Sequence, residues 1–196
     1  MGKRSNHGQE QLVPHPRFGV EPLVSGLNIP RKAIEEGHWS YKYEAIFPES
    51  VLVADTATQN YSIYPRKYYV DMLERCEACK RPFIFFAREQ KYWFETLRFY
   101  VDARCIHCPE CRRDTQWIRR RLKRYSDLSA KSIKSEDELK QLINDGTYLL
   151  RRGVLRNLGR LGHLKNEGIK RIPDYPGTKH LVETLSRVRL LGANEP

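Results

Sequence analysis

All five cysteines of this 196-residue chain lie in two stretches, Cys76-Glu77-Ala78-Cys79 and Cys105-Ile106-His107-Cys108-Pro109-Glu110-Cys111. Disulfides usually join distant parts of small secreted domains, whereas tight C-x2-C pairs are typical of metal sites. A structural zinc site takes four ligands in a tetrahedron, and thiolates are favoured donors. The spacing therefore predicts one zinc ion, bound by the first pair and by two of the three later cysteines.

Three later cysteines compete for the two remaining places. Cys108 precedes Pro109, and proline suits the first position of a helix, so a helix is predicted to begin there. Cys111 then lies on the inward face of that helix, whose N-terminus favours thiolate charge. We therefore predict the ligand set Cys76, Cys79, Cys108 and Cys111, with Cys105 as the alternate ligand. The competing interpretation, five buried thiols without a metal, is disfavoured by two spaced C-x2-C clusters.

The helix predicted after residue 109 has two different faces. Its apolar positions recur with helical spacing, at Cys111, Ile118, Leu122 and Tyr125. Residues 112–124 also hold seven Lys or Arg and one Asp, mostly on the other side. Cationic side chains neutralise phosphates, and an aromatic ring can stack on an unpaired base. The predicted nucleic-acid contacts are Arg112, Arg113, Trp117, Arg120, Arg121 and Arg124.

Positive charge is concentrated in the C-terminal part of the chain. The formal net charge is +11, and residues 112–196 hold twenty Lys or Arg against ten Asp or Glu. A negatively charged partner would therefore meet that part. No apolar stretch approaches the roughly 18 to 20 residues of a membrane helix, and the basic start of the chain leads into no apolar segment. We expect a cytoplasmic protein without membrane contact.

The remaining pattern predicts an α+β protein in three segments. Residues 1–66 are rich in proline and read as an extended arm, with strand-forming aromatic residues between 55 and 71. Residues 67–130 should form the zinc module, with a strand at 83–86, a short helix at 89–97 and the basic helix. Residues 131–196 should be helical, with a Ser135/Glu138 capping box, a stop at Gly146, and helices over 148–164 and 178–191.

Motifs between residues 67 and 113 follow one another in a recognisable order. They are Cys76-x2-Cys79, Phe83-Ile84-Phe85, Glu89-Gln90, Tyr92-Trp93, Arg104-Cys105 and Cys108-Pro109-Glu110-Cys111-Arg112. This order resembles a family of small bacterial proteins with a probable zinc-ribbon domain of treble-clef type, and the longer members are also similar around residues 54–56 and 59–66. The resemblance implies zinc binding and a treble-clef fold, without a known reaction or partner. The family's spacing between pairs implies Cys105 as third ligand, whereas the C-P-E-C-R motif implies Cys108 and Cys111.

Catalytic interpretations have less support in the sequence. A catalytic zinc keeps an open position, usually among His or carboxylate ligands, but enough thiols are present without His107. A redox role for Cys76 and Cys79 lacks a βαβ pattern, and Glu89-Gln90 suits the start of a short helix that bonds to the module's backbone. We therefore predict a non-catalytic, zinc-stabilised protein that contacts RNA or DNA. The alternative is a protein-protein adaptor that docks on a larger complex.

Overall fold

The computed structural model describes residues 11–192, and over that range it has the predicted α+β architecture. The strands are β1 (Ala45–Val53), β2 (Tyr68–Arg75) and β3 (Pro82–Phe85). The α-helices are α1 (Arg31–Glu36), α2 (Ala87–Lys91), α3 (Pro109–Ser129), α4 (Glu136–Arg151), α5 (Leu158–Arg171) and α6 (Pro176–Gly192). Short 3₁₀ turns occupy Trp39–Lys42 and Thr56–Thr58, and a π-helical turn, Tyr92–Thr96, follows α2 directly.

The chain divides into two compact units. The first ends at Arg113 and the second begins at Asp114. This boundary falls within α3, inside the segment 67–130 that we predicted to hold the zinc module and the basic helix. Each unit has its own apolar core.

The first unit is built on an antiparallel sheet in the order β1-β2-β3. Ala45 pairs with Leu73 across β1 and β2, and Met72 pairs with Phe85 across β2 and β3. At the free edge of β3, Val13 forms a single bridge to Phe83, so the N-terminal arm packs against the sheet. Successive side chains of a strand point to opposite faces of the sheet, so one face of β2 packs into the core that surrounds the cysteines.

Two strands of the first unit lie at positions other than those that we predicted. We predicted strand-like residues at 61–64, but that segment is an exposed loop, and the strand begins at Tyr68. The edge strand β1 was not predicted, because Pro48 and Glu49 interrupt its apolar pattern. The register shifts between Phe47 and Leu52 at the same place, which accommodates those residues as an irregularity in the ladder.

The second unit consists of helices packed around one apolar core. The capping box of α4 is present as predicted, with Ser135 accepting from the Glu138 backbone and Glu138 accepting from the Ser135 backbone. Gly146 does not end α4, however, and the helix continues to Arg151. A Cβ at Gly146 would lie 3.1 Å from both Leu161 and Tyr125, so this glycine permits close helix packing. Across residues 11–192, no helix is long and apolar enough to cross a bilayer.

Candidate metal centre

Cys76 and Cys79 lie in the tight turn between β2 and β3. The Cys76 backbone N–H donates to the Arg81 carbonyl at 3.0 Å, and the Lys80 N–H donates to the Cys76 carbonyl at 2.8 Å. Lys80 has a φ of 63°, a left-handed conformation that a side chain other than glycine adopts uncommonly. Two strand ends and a strained residue therefore hold the first pair of thiols in place.

Cys108 and Cys111 lie at the beginning of α3. Pro109 is the first residue of the helix, and the Arg112 N–H donates to the Cys108 carbonyl at 2.9 Å, which closes the first turn. The preceding loop is tied to the first cysteine turn, because the Glu77 N–H donates to the Ile106 carbonyl at 2.8 Å. This backbone bond brings the two cysteine turns together.

The sulfurs of Cys76, Cys79, Cys108 and Cys111 lie within 4.8 Å of one another. The Sγ atoms of Cys79 and Cys108 are 3.8 Å apart. Four thiolates at about 2.3 Å from a tetrahedral zinc would be separated from each other by about 3.8 Å. Both the donor type and the spacing of these thiols fit a zinc ion.

The first cysteine pair lies in surroundings that favour thiolate charge. Burial raises the pKa of Cys76, but backbone N–H groups of Cys108, Cys79 and Ala78 outweigh it and lower the pKa to about 6. Burial also raises the pKa of Cys79, and the stronger opposing hydrogen bonds come from the backbone and side chain of Arg81, so that this pKa is lowered. Hydrogen bonds to the charged form thus prepare this pair for metal binding.

Cys105 lies outside the group of four sulfurs. Its side chain is buried, and its Sγ is 3.6 Å from the carbonyl of His107, to which the thiol donates. Burial raises the pKa of Cys105 to about 12, which favours the neutral thiol. The surroundings of Cys105 are therefore those of a buried thiol that packs in the core of the first unit.

The comparison with known families matches the segment that carries these four thiols. Residues 70–120 match a family described as a probable treble clef domain. Over this segment the chain is therefore similar to treble-clef zinc-binding domains. No curated protein and no solved structure matched the chain. The matched segment begins within β2 and ends within α3, so it includes both cysteine turns.

Two polar residues after β3 support the treble clef. The amide of Gln90 is fully buried and donates to the carbonyls of Val70 at 2.6 Å and Phe85 at 2.9 Å. The Glu89 carboxylate is 2.7 Å from the Arg112 guanidinium. The Gln90 contacts are the backbone hydrogen bonds that we predicted, whereas Glu89 pairs with a side chain.

The predicted nucleic-acid contacts fall into two groups. Four of the six side chains have internal partners: Arg112 pairs with Glu89, Arg121 and Arg124 both pair with Asp145, and the Trp117 ring centroid lies 5.7 Å from the Arg121 guanidinium. The other two, Arg113 and Arg120, are exposed, as is the Trp117 side chain. The basic residues Arg119 and Lys123 are exposed as well. Across residues 11–192, none of these four exposed basic side chains forms a hydrogen bond or an ion pair within the chain.

Sequence reasoning missed the buried charged residues that organise each unit. Asp71 accepts from the backbone N–H of Leu23 at 2.8 Å and of Ala87 at 2.6 Å, and so joins the arm to the start of α2. Asp145 is fully buried between two arginines of α3. A carboxylate within the run of apolar and aromatic residues from 68 to 73 was the available signal for Asp71, whereas the sequence around Asp145 gave none.

Proposed function

We propose that this protein is a non-catalytic binding protein in which Cys76, Cys79, Cys108 and Cys111 hold one structural zinc ion, and in which exposed basic residues of α3 contact RNA or DNA. A cytoplasmic location is part of the proposal, since none of the five cysteines, all of which the structure describes, forms a disulfide. The zinc ion fixes the beginning of α3 relative to the sheet of the first unit. The basic residues of that helix then meet phosphates.

The proposal of a structural zinc rests on the composition of the group. All four donors are thiolates, which leaves no open position for a water molecule and supplies no general base beside the metal. Backbone N–H groups and Arg81 already surround the first pair. Such a closed site contributes folding free energy rather than chemistry.

One observation carries the nucleic-acid proposal: several basic side chains of α3 are exposed and form no ion pair with any described residue. Arg119, Arg120 and Lys123 are exposed, and no described residue pairs with them. Trp117, which is 53% exposed, lies on the same helix. In contrast, Arg121 and Arg124 share the single negative charge of Asp145 and therefore contribute less free charge. Exposed arginine and lysine beside an aromatic ring favour phosphate contact with base stacking.

The test compares salt dependence of binding between two charge-matched variants. We expect replacement of Arg119, Arg120 and Lys123 by Gln to weaken binding to a short single-stranded oligonucleotide. Each lost phosphate contact should reduce the slope of log affinity against log salt by somewhat under one unit, or about 0.7 on single strands. The measurement is fluorescence anisotropy at two salt concentrations.

The control removes three charges from exposed positions of the first unit, as Lys32→Gln, Lys42→Gln and Arg104→Gln. It changes the net charge equally and should leave the slope near that of the wild type. If the wild type binds no oligonucleotide at low salt, or if both variants weaken binding equally, contact through α3 is wrong. An adaptor that binds another protein would then be the better description.

A further inference from the structure

We infer that a pocket on the first unit binds an unpaired nucleobase together with its phosphate, an inference that rests on the proposed function. The pocket, called here the Phe18 pocket, has a volume of about 390 Å³ and lies between the turn at residues 15–18 and the segment 88–93. Three aromatic rings and two arginines line it, namely Phe18, Tyr92, Trp93, Arg17 and Arg88. Such a pocket would make the protein bind single-stranded nucleic acid in preference to duplex.

The turn that carries Phe18 is held rigidly. His15 and Gly19 exchange two backbone hydrogen bonds, of 2.8 and 2.9 Å. The Nδ1 atom of His15 accepts from the backbone N–H of Arg17 at 3.1 Å and of Phe18 at 3.2 Å. The Phe18 ring therefore has a fixed position before any ligand arrives, which lowers the entropic cost of binding.

Two of the rings offer a surface for stacking. Phe18 lies parallel to the His15 ring, with centroids 4.5 Å apart and planes inclined by 12°. The Phe18 ring also contacts Phe86, with centroids 5.2 Å apart, and a base on the exposed part of Phe18 would extend this group of rings. Tyr92 is 53% exposed and makes no ring contact with any residue among 11–192. An exposed tyrosine without a ring partner is a ready platform for a base.

The unpaired charge at the pocket is positive. The carboxylate of Glu89 pairs with Arg112 at 2.7 Å and lies 3.7 Å from Nε2 of His15, and burial lowers the pKa of His15 although Glu89 opposes it. Arg17 and Arg88 are exposed and pair with no residue of the described chain. Aromatic rings with two free cations suit a planar anionic ligand, and disfavour a cation or an aliphatic chain.

One lining residue of the pocket, Trp93, contacts the beginning of α3. The Arg112 guanidinium lies 5.1 Å from the centroid of the Trp93 ring, and the next residue, Arg113, is exposed. After one base has entered the pocket, Arg113 is the nearest basic residue in sequence that is free to receive a further phosphate of the same strand. This continuity favours a nucleic-acid strand over a free nucleotide.

The test measures single-stranded and duplex binding of the zinc-loaded full chain. Tyr92→Ala should weaken binding to an eight-nucleotide oligouridylate roughly 5- to 150-fold, the range of one lost stacking contact, and change duplex binding little. Tyr92→Phe keeps the ring and should bind as the wild type does. The control is Tyr43→Ala, which removes a tyrosine that is 81% exposed on the same unit and does not line the pocket.

The outcomes separate this inference from the proposed function. Unchanged single-strand binding of Tyr92→Ala, alongside weaker binding of the Arg119, Arg120 and Lys123 variant, would overturn the Phe18 pocket and leave the proposed function standing. Equal losses on single strands and duplex would also overturn it. Absence of any binding by the wild type would overturn both. A loss confined to single strands, with Tyr92→Phe retaining affinity, supports the pocket.

Discussion

Cys105 and Cys108 are three residues apart, and their surroundings give them different chemistry. Cys108 faces the three other sulfurs of the group, and its Sγ is 3.8 Å from that of Cys79. Cys105 instead donates to the His107 carbonyl in a buried position. Among equally spaced cysteines, the position relative to the helix start therefore distinguishes a metal-facing thiol from a packed one.

The first prediction concerns zinc retention in single Cys→Ser variants. Loss of Cys76, Cys79, Cys108 or Cys111 removes one of four donors and should reduce bound zinc well below one ion per chain, because serine is a poor zinc ligand. Cys105→Ser should retain about one zinc per chain. Elemental analysis of the purified variants measures this. Zinc loss in Cys105→Ser with full retention in Cys111→Ser would reverse the assignment.

The second prediction concerns His38, whose side chain is fully buried. Its Nδ1 is 2.8 Å from the Ser40 hydroxyl, and its Nε2 is 3.2 Å from Asp102. Burial first, and then the charge of Arg66, lower the pKa of His38 to about 4, although Asp102 opposes them. The unfolded chain binds this proton below a pH of about 6.5, whereas the native state stays neutral until about 4.

This histidine should therefore make the first unit less stable in acid. Its contribution is fully present above pH 6.5 and is lost as the pH falls toward 4, by about 2 kcal/mol between pH 7 and 5. Thiolate protonation also destabilises the unit, so the quantity to measure is the difference between wild type and His38→Gln. Urea unfolding at both pH values gives that difference. A difference that does not change with pH would contradict the assigned pKa.

At the scale of elements, predictions succeeded where a local rule was sufficient. Helix α3 begins at Pro109, and the capping box of α4 forms as its sequence indicates. Predictions failed where a partner distant in sequence decides the structure. Gly146 reads as a stop, yet packing against Leu161 and Tyr125 keeps it inside α4. The edge strand β1 depends on its pairing with β2, which no local pattern specifies.

The same limit applies to the candidate site. Spacing identified the two cysteine pairs, because C-x2-C turns are local. Residue spacing alone could not predict which basic side chains of α3 lack a partner. The sequence gave no partner for Arg121 and Arg124, but both pair with Asp145 of α4. In the same way, Leu122 was predicted to face inward but is exposed. Tertiary partners decide which charges remain available.

The third prediction concerns Asp145, which joins two helices of the second unit. Its buried carboxylate accepts from Arg124 at 2.6 and 2.7 Å and from Arg121 at 2.9 Å. Asp145→Asn should destabilise this unit by about 2 to 3 kcal/mol, below the usual range for a buried pair because both arginines are partly exposed to solvent. Asp127→Asn, an exposed position of the same unit, should cost little. Amide exchange in α4 measures both, and equal effects would contradict this role.

At the scale of the whole molecule, the two units depend on different sources of stability. The second unit has a continuous apolar core made by four helices. The first unit combines a three-stranded sheet with short helices and loops, and its core includes the side chains of Cys76 and Cys108. A zinc ion bound there would contribute free energy on the order of 10 kcal/mol to the folded state. Metal removal should therefore affect the units unequally.

Amide hydrogen exchange before and after verified zinc removal tests this account most directly. With zinc bound, β2, β3 and the first turn of α3 should be protected. After a strong chelator has removed the metal, residues 70–113 should lose protection, because the folding free energy supplied by the four thiolates is gone. Helices α4, α5 and α6 should keep theirs. An unchanged exchange pattern over residues 70–113 in the zinc-free protein would contradict the claim that zinc holds this domain together.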